Sequence, residues 1–287
     1  KARYYSQRFI PAIEAFNYVI ENYPDASLIN ETKIWRAKAN IRLDNERFAI
    51  ESLKYLLIIK DTLEADLPDE IRERGYTALA MAYVQSDSLQ KAKESLIKAT
   101  KTNKNAVQAA RNLFVLGQMY ASENKPDSAT TVFKKIVNFR KAPDKFKIHA
   151  QIAIAKNFPK DSSSVSLHKT LRKLIKNRDN RPYLDALYYQ VGVLEEYKDS
   201  ISLAVENYNK SLRAKNAKPT QKTYTYERLG NLYFKNNEFQ LASSYYDSVL
   251  QVAENKTALR IRRVKRKFKN LAALIAYEKT VKTNDSI

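Results

Sequence analysis

At 287 residues the chain is long enough for two ordinary domains or one extended repeat array, and its 44% hydrophobic content excludes disorder as the main state. Lys and Arg number 51 against 31 Asp and Glu, a net charge of +20. Cysteine is absent, which excludes disulfides and thiolate metal sites and is compatible with cytoplasm or periplasm alike, and no run of ~18 apolar residues is available to span a membrane.

With 4 Gly and 8 Pro the chain is poorly supplied for β-turns, and helices are expected throughout. Residues 1–7 read as the end of a helix already under way, so a piece of a longer protein is expected, with any signal peptide or lipid-attachment Cys upstream. From there a small residue recurs at Ala12, Ala49, Ala92, Ala129, Ala204 and Ala242, with Leu167 filling the slot after Ala129. Its steps are 37, 43, 37, 38, 37 and 38 residues, a period typical of helical-repeat arrays.

Four residues beyond each of these positions stands a larger side chain: Phe16, Leu53, Leu96, Phe133, Leu171, Tyr208 and Tyr246. Twelve residues before them lies a second small slot, Ala37, Ala80, Gly117, Ala155, Gly192 and Gly230. Glycine inside a helix costs ~1 kcal/mol relative to Ala, so three glycines in one slot imply close helix packing. Residues 226–249 show the unit most clearly. Tyr226, Leu229, Gly230 and Tyr233 share one helical face, and Phe239, Ala242, Tyr246 and Val249 share another across the polar turn Lys235-Asn236-Asn237-Glu238.

Prolines are phased with the repeat. Pro11, Pro68, Pro143, Pro182 and Pro219 fall where a helix is expected to begin, and Pro24, Pro126 and Pro159 where one is expected to have ended. Asn30, Ser164 and Thr220 are candidate N-caps. An acidic insert at 60–70 accounts for the 43-residue step, and residues 161–164, Asp-Ser-Ser-Ser, read as a loop opening the degenerate fifth unit. Beyond Asn255 the pattern becomes one apolar seam, Ile261, Val264, Phe268, Leu271 and Ile275, on a long helix that either caps the array or opens a further repeat, followed by a polar tail.

Leu116-Gly117-Gln118-Met119-Tyr120 and Leu229-Gly230-Asn231-Leu232-Tyr233, with the variant Tyr76, Leu79, Ala80 and Tyr83 and the closing Pro24, resemble the tetratricopeptide repeat. The resemblance covers about residues 1–255, is most specific in the units centred on Ala92, Ala129 and Ala242, and is weakest around Leu167. It implies an all-α, right-handed superhelical solenoid of about seven helix-turn-helix repeats over 1–255, with a basic C-terminal helix and tail over 256–287. The family period is ~34 residues, so these units have longer helices or turns.

Nothing in the sequence announces catalysis. His149 and His168 have no Cys or second His at helical spacing to make a metal site, and no glycine-rich phosphate loop or nucleophile elbow occurs. No cofactor is expected, and an enzyme would need a polar pocket built around those two histidines. A concave wall made from the first helix of each pair is the expected protein-binding surface. It is read as Arg74, Thr77 and Met81, then Arg111, Phe114 and Gln118, with Tyr189, Val193, Tyr224, Asn231 and Phe234 farther along. Family members that grip a C-terminal carboxylate use Lys and Asn in such slots. Here Thr77, Met81, Phe114 and Gln118 stand there, so chaperone-tail binding is not expected.

The basic run Arg260, Arg262, Arg263, Lys265, Arg266, Lys267 and Lys269 is either a solvated face or a contact for phosphate backbone, anionic lipid or an acidic protein. Binding of nucleic acid or an anionic surface through it is the rival to a protein-binding scaffold. No nucleic-acid recognition motif accompanies the run, and the tyrosines sit mostly in repeat core slots.

Residues 1–24, 33–53 and 260–270 are also similar to a narrower family, the tetratricopeptide lipoproteins of Bacteroidota gliding motility and type IX secretion. That similarity implies attachment to the periplasmic face of the outer membrane through an acylated Cys upstream. It also implies a scaffold joining a SprA-type outer-membrane translocon to periplasmic motor or ring components.

Overall fold

A computed structural model describes residues 1–60, 67–102, 104–157 and 164–284. Residues 61–66 of the acidic insert, Pro159 and residues 161–163 of the Asp-Ser-Ser-Ser segment lie outside these. Among the described residues there are fifteen α-helices and no strand, and the chain divides into two units, Lys1–Pro159 and Lys160–Ile287.

The first unit contains α1 (Ala2–Tyr5), α2 (Phe9–Asn22), α3 (Ile29–Ile41), α4 (Glu46–Lys54, prolonged by a π-helical turn Tyr55–Lys60), α5 (Asp69–Gln85), α6 (Leu89–Ala99), α7 (Ala106–Ser122), α8 (Pro126–Asn138) and α9 (Asp144–Lys156). The second contains α10 (Ser164–Lys176), a 3-10 turn Arg178–Tyr183, α11 (Leu184–Tyr197), α12 (Ile201–Arg213), α13 (Pro219–Lys235), α14 (Phe239–Val252) and α15 (Leu259–Asn284). Within the units the hairpins α3–α4, α5–α6, α7–α8, α11–α12 and α13–α14 each pack their two helices together, and successive first helices, α3 on α5 and α11 on α13, also touch.

The recurring small and large residues are the contacts within each hairpin. Ala12, Ala49, Ala92, Ala129, Ala204 and Ala242 are all essentially inaccessible. A Cβ added to Gly117, Gly192 or Gly230 would stand 2.5, 2.6 or 2.7 Å from the rings of Phe133, Tyr208 and Tyr246 respectively. Glycine is required there by ring-to-backbone approach, not by an unusual φ, since no glycine has positive φ. Gly75 belongs to the same class but meets Leu57 instead.

The left-handed backbone positions fall to other residues. Asp44, Asp87, Asn124, Asp199 and Asn237 have φ between 54° and 59°, each five residues before the repeating small residue. In every case the next N–H reaches the carbonyl five residues upstream, as in Ser88 to Tyr83 at 2.8 Å and Glu238 to Tyr233 at 2.9 Å. This is the Schellman closure of a helix C-terminus, with Asp or Asn where Gly is usual. Gln7, φ 62°, ends α1 in the same way.

Two expectations are corrected. Pro126 starts a helix, standing at the first position of α8, because the turn after α7 is only three residues long. Asn30 and Thr220 lie one residue inside α3 and α13, which begin at Ile29 and Pro219, and Ser164 is the first residue of α10, so none is an N-cap. Side-chain capping is instead supplied by Asn105, whose Oδ1 accepts from Gln108 N at 3.0 Å, while Asn255 Oδ1 accepts from Thr257 N and Ala258 N in the loop that leads into α15.

Candidate functional site

In the first unit the first helices of three successive hairpins, α3, α5 and α7, leave a groove of about 550 Å³. Its floor is apolar, made by Ile41, Ala80 and Leu96, all buried. Met81 and Val84, 40% and 47% exposed, offer open apolar surface, and Val115 joins them from α7.

A buried polar chain stiffens the wall. Asn112, 2% exposed, donates to Thr77 Oγ1 at 2.8 Å and accepts from Gln108 Nε2 at 2.9 Å. Thr77 in turn donates to the Glu73 carbonyl at 2.7 Å. At the rim Gln85 Nε2 donates to Asp44 Oδ1 at 2.9 Å, which occupies that carboxylate. Arg42 and Arg111 also line the groove. Arg42 lies against the Phe9 ring, and neither guanidinium has a carboxylate partner among the described residues. The cleft therefore offers apolar contact beside two cations without ion-pair partners, one rim carboxylate (Asp44) and a set of amide and hydroxyl groups, a net positive lining that suits an extended acidic–apolar segment.

Of the residues read from sequence as the binding wall, Thr77, Met81 and Arg111 line this groove. Gln118 and Arg111 are exposed, whereas Arg74 is committed to Glu31 and Glu70 at 2.7 and 2.6 Å. Phe114 is not on an open wall: it packs on Phe133, Phe146 and His149 within the core of α7–α9. In the second unit Tyr189 and Val193 pack against the Tyr208 core. Asn231 accepts hydrogen bonds from the Tyr246 hydroxyl and Lys267, both at 2.8 Å. Tyr224 and Phe234 remain over 40% exposed, but the Arg260 guanidinium lies 3.9 Å from the Tyr224 ring centre and Phe234 stacks edgewise on Phe239. These residues leave the proposed wall because a first helix is buried on two sides, by its own partner and by the next first helix, leaving only a narrow open stripe.

Sequence reasoning missed a recurring acid nineteen residues before the small residue, Glu73 and Asp185. Glu73 Oε2 accepts Lys104 N and Asp185 Oδ2 accepts Lys218 N, each at 3.0 Å, fastening the approach to the next first helix. Burial pushes the Glu73 carboxyl up, against the backbone N–H groups of Lys104 and Asn105. The signal was present at Asp185, an acid within Leu184-Asp185-Ala186-Leu187, but not at Glu73, which stands between Arg72 and Arg74 in a charged run.

The basic run is divided by the structure. Arg260 is structural, bonded to Glu227 and Thr223 and stacked on Tyr224. Lys267 is tied to Asn231. Arg262, Arg263, Lys265, Arg266 and Lys269 are exposed. The two histidines fall in different units, and His168 is paired with buried Glu195, Nε2 to Oε1 2.9 Å. Burial, aided by Arg172, holds the His168 pKa below its ordinary value despite that carboxylate.

Residues 73–105 and 223–256 match the family model for the tetratricopeptide repeat, spanning α5–α6 and α13–α14, the hairpins centred on Ala92 and Ala242. The fold is a tetratricopeptide-type stack of helical repeats. A tetratricopeptide repeat protein from Parabacteroides merdae is similar at a TM-score of 0.56 and 15% identity, over 94% of this chain and 95% of that one. YrrB, described as a TPR protein with an unusual peptide-binding site, is similar at 0.52 and 16% identity, over 71% of this chain and 93% of that one. At such identities the likeness is one of fold. No curated protein matches the chain in sequence. Among the described residues no helix is long and apolar enough to cross a membrane.

Proposed function

We propose that this chain is a non-enzymatic scaffold that holds an extended acidic–apolar segment of a partner protein along the α3–α5–α7 groove. The observation that carries this is exposed Met81 and Val84 beside Arg42 and Arg111, two cations that form no ion pair among the described residues and outnumber the one rim carboxylate, Asp44. Tetratricopeptide-type stacks commonly mediate protein association, and one structural relative is described as having a peptide-binding site. An array of acidic–apolar peptides read by fluorescence polarisation tests the groove. Arg111→Glu and Arg42→Glu are each expected to weaken binding by roughly tenfold or more, since a charge-assisted hydrogen bond contributes about 1.5–3 kcal/mol. Binding that is indifferent to both reversals overturns it.

At a finer level we propose an adaptor of the SprE (PorW) kind. It would be a lipoprotein on the periplasmic face of the outer membrane, joining a SprA-type translocon to periplasmic motor or ring components in type IX secretion and gliding. The support is the similarity of residues 1–24, 33–53 and 260–270. Affinity purification from detergent-solubilised envelope is expected to recover the translocon, and recovery of no secretion component counts against the assignment.

A further inference from the structure

Helix α15 has two faces with different tasks. Ile261, Val264 and Leu271 are buried, with Phe268 and Ile275 partly so, against Ala242, Tyr246, Val249 and Ala253 at α14. At 100° per residue the opposite side carries Arg262, Arg263, Arg266 and Lys269 in its first half and Leu274, Tyr277 and Val281 in its second. Those three apolar residues are 40%, 71% and 56% exposed. No acidic residue occurs between Glu254 and Glu278. Lys256, in the preceding loop, borders the same shallow hollow as Arg262, Lys265 and Lys269.

The spacing of the earlier turns is not kept along this helix. One period beyond the Asn236-Asn237 turn falls at about residue 274, and α15 continues unbroken to Asn284. A second copy of the chain would bring cations against cations. We infer that the outer face of α15 docks onto an anionic phospholipid surface, with the cations at the lipid phosphates and Leu274, Tyr277 and Val281 at the acyl boundary.

Three observations favour lipid. From Lys265 through Arg266 to Arg263 the cations fan over about 160° of the helix circumference, more than the ~100° stripe that one partner helix covers. Long Lys and Arg stems let such a fan reach a single plane. The exposed apolar residues follow the cations along the same face, a pairing that headgroup and acyl layers accept together. Single-stranded nucleic acid favours aromatic rings interleaved with the cations, whereas Tyr277 stands eight residues beyond Lys269.

The test uses the full chain and flotation with phosphatidylcholine vesicles with and without phosphatidylglycerol. Binding is expected only to the anionic vesicles and is expected to fall with added salt. Each cation near the surface is expected to contribute about fivefold, so Arg262→Gln/Arg263→Gln/Arg266→Gln together are expected to weaken it ~100-fold. None of the three side chains enters the α14 contact, and far-ultraviolet circular dichroism of the variant is expected to match the parent. Tyr277→Trp is expected to add a blue-shifted emission on anionic vesicles over the Trp35 baseline. Equal binding to neutral vesicles, undiminished binding by the triple variant, or preference for an RNA oligonucleotide or polyglutamate over the vesicles would each overturn the inference.

Discussion

Gly230→Ala isolates the contact on which each hairpin is built. The added methyl would stand 2.7 Å from Tyr246 Cε1 and 2.8 Å from Cδ1. Tyr246 is 1% exposed and its hydroxyl is held by Asn231 at 2.8 Å, so the ring has little room to turn. Overpacking of this kind costs about 1–3 kcal/mol, and loss of the phenol hydrogen bond adds about 1. Helix propensity opposes this by about 1 kcal/mol in favour of Ala. The net expectation is destabilisation by about 1–3 kcal/mol, read as a lower urea midpoint at unchanged slope. Gly75→Ala provides the contrast, because it meets the branched end of Leu57 at 2.7 Å, which can rotate away, and little change is expected. In Gly230→Ala/Tyr246→Leu the clash is gone, so the two changes should be non-additive by about 1 kcal/mol or more. A Gly230→Ala protein more stable than its parent, as propensity alone would give, refutes the packing argument.

Further outcomes are expected. Asp87→Gly and Asn237→Gly should each stabilise the fold by about 0.5 kcal/mol, read as a small rise in melting temperature, since Gly adopts their left-handed φ of 54° and 59° without strain and loses part of the gain to chain entropy. Lys38, 4.6 Å from the Trp35 ring centre, is held down to about 8 by burial and then by Arg74. Its contribution to stability is therefore complete above its unfolded pKa of about 10.4 and is lost as pH falls through 8. Urea midpoints of the parent relative to Lys38→Gln should accordingly fall from pH 10 to pH 8, and a constant difference contradicts this. Lys93, 6% exposed, is paired with Glu123 at 2.6 Å. Removing the carboxylate leaves a buried cation, so Glu123→Gln should destabilise more than Lys93→Met.

The second helices made the repeat legible. Helix α6 buries Ala92, Lys93, Ser95, Leu96 and Ala99 along one side and is otherwise largely exposed, so its period survives in the sequence. Helix α5 buries Glu73, Gly75, Thr77, Ala78, Leu79, Ala80 and Ala82, covering much of its circumference, and no single stripe marks what remains open. That is why a one-stripe reading reaches Met81 and Arg111, which line the groove, yet also takes in Phe114, Tyr189 and Val193, which pack on core side chains, and passes over the groove-lining Arg42, Val84 and Gln85. The turn residues were overlooked for a different reason: Asp and Asn at a left-handed position look like ordinary polar loop sequence until their fixed offset from Ala92 or Ala242 is noticed.

The chain holds two methionines, Met81 in the groove and Met119 packed in the α7–α8 core. Methyl-labelled methionine NMR during titration with an acidic–apolar peptide therefore tests the groove most directly. The Met81 methyl should shift with saturating dependence on peptide and lose that response in Arg111→Glu, while Met119 stays in place. Saturable binding that leaves the Met81 methyl unmoved would place the partner elsewhere and contradict the account.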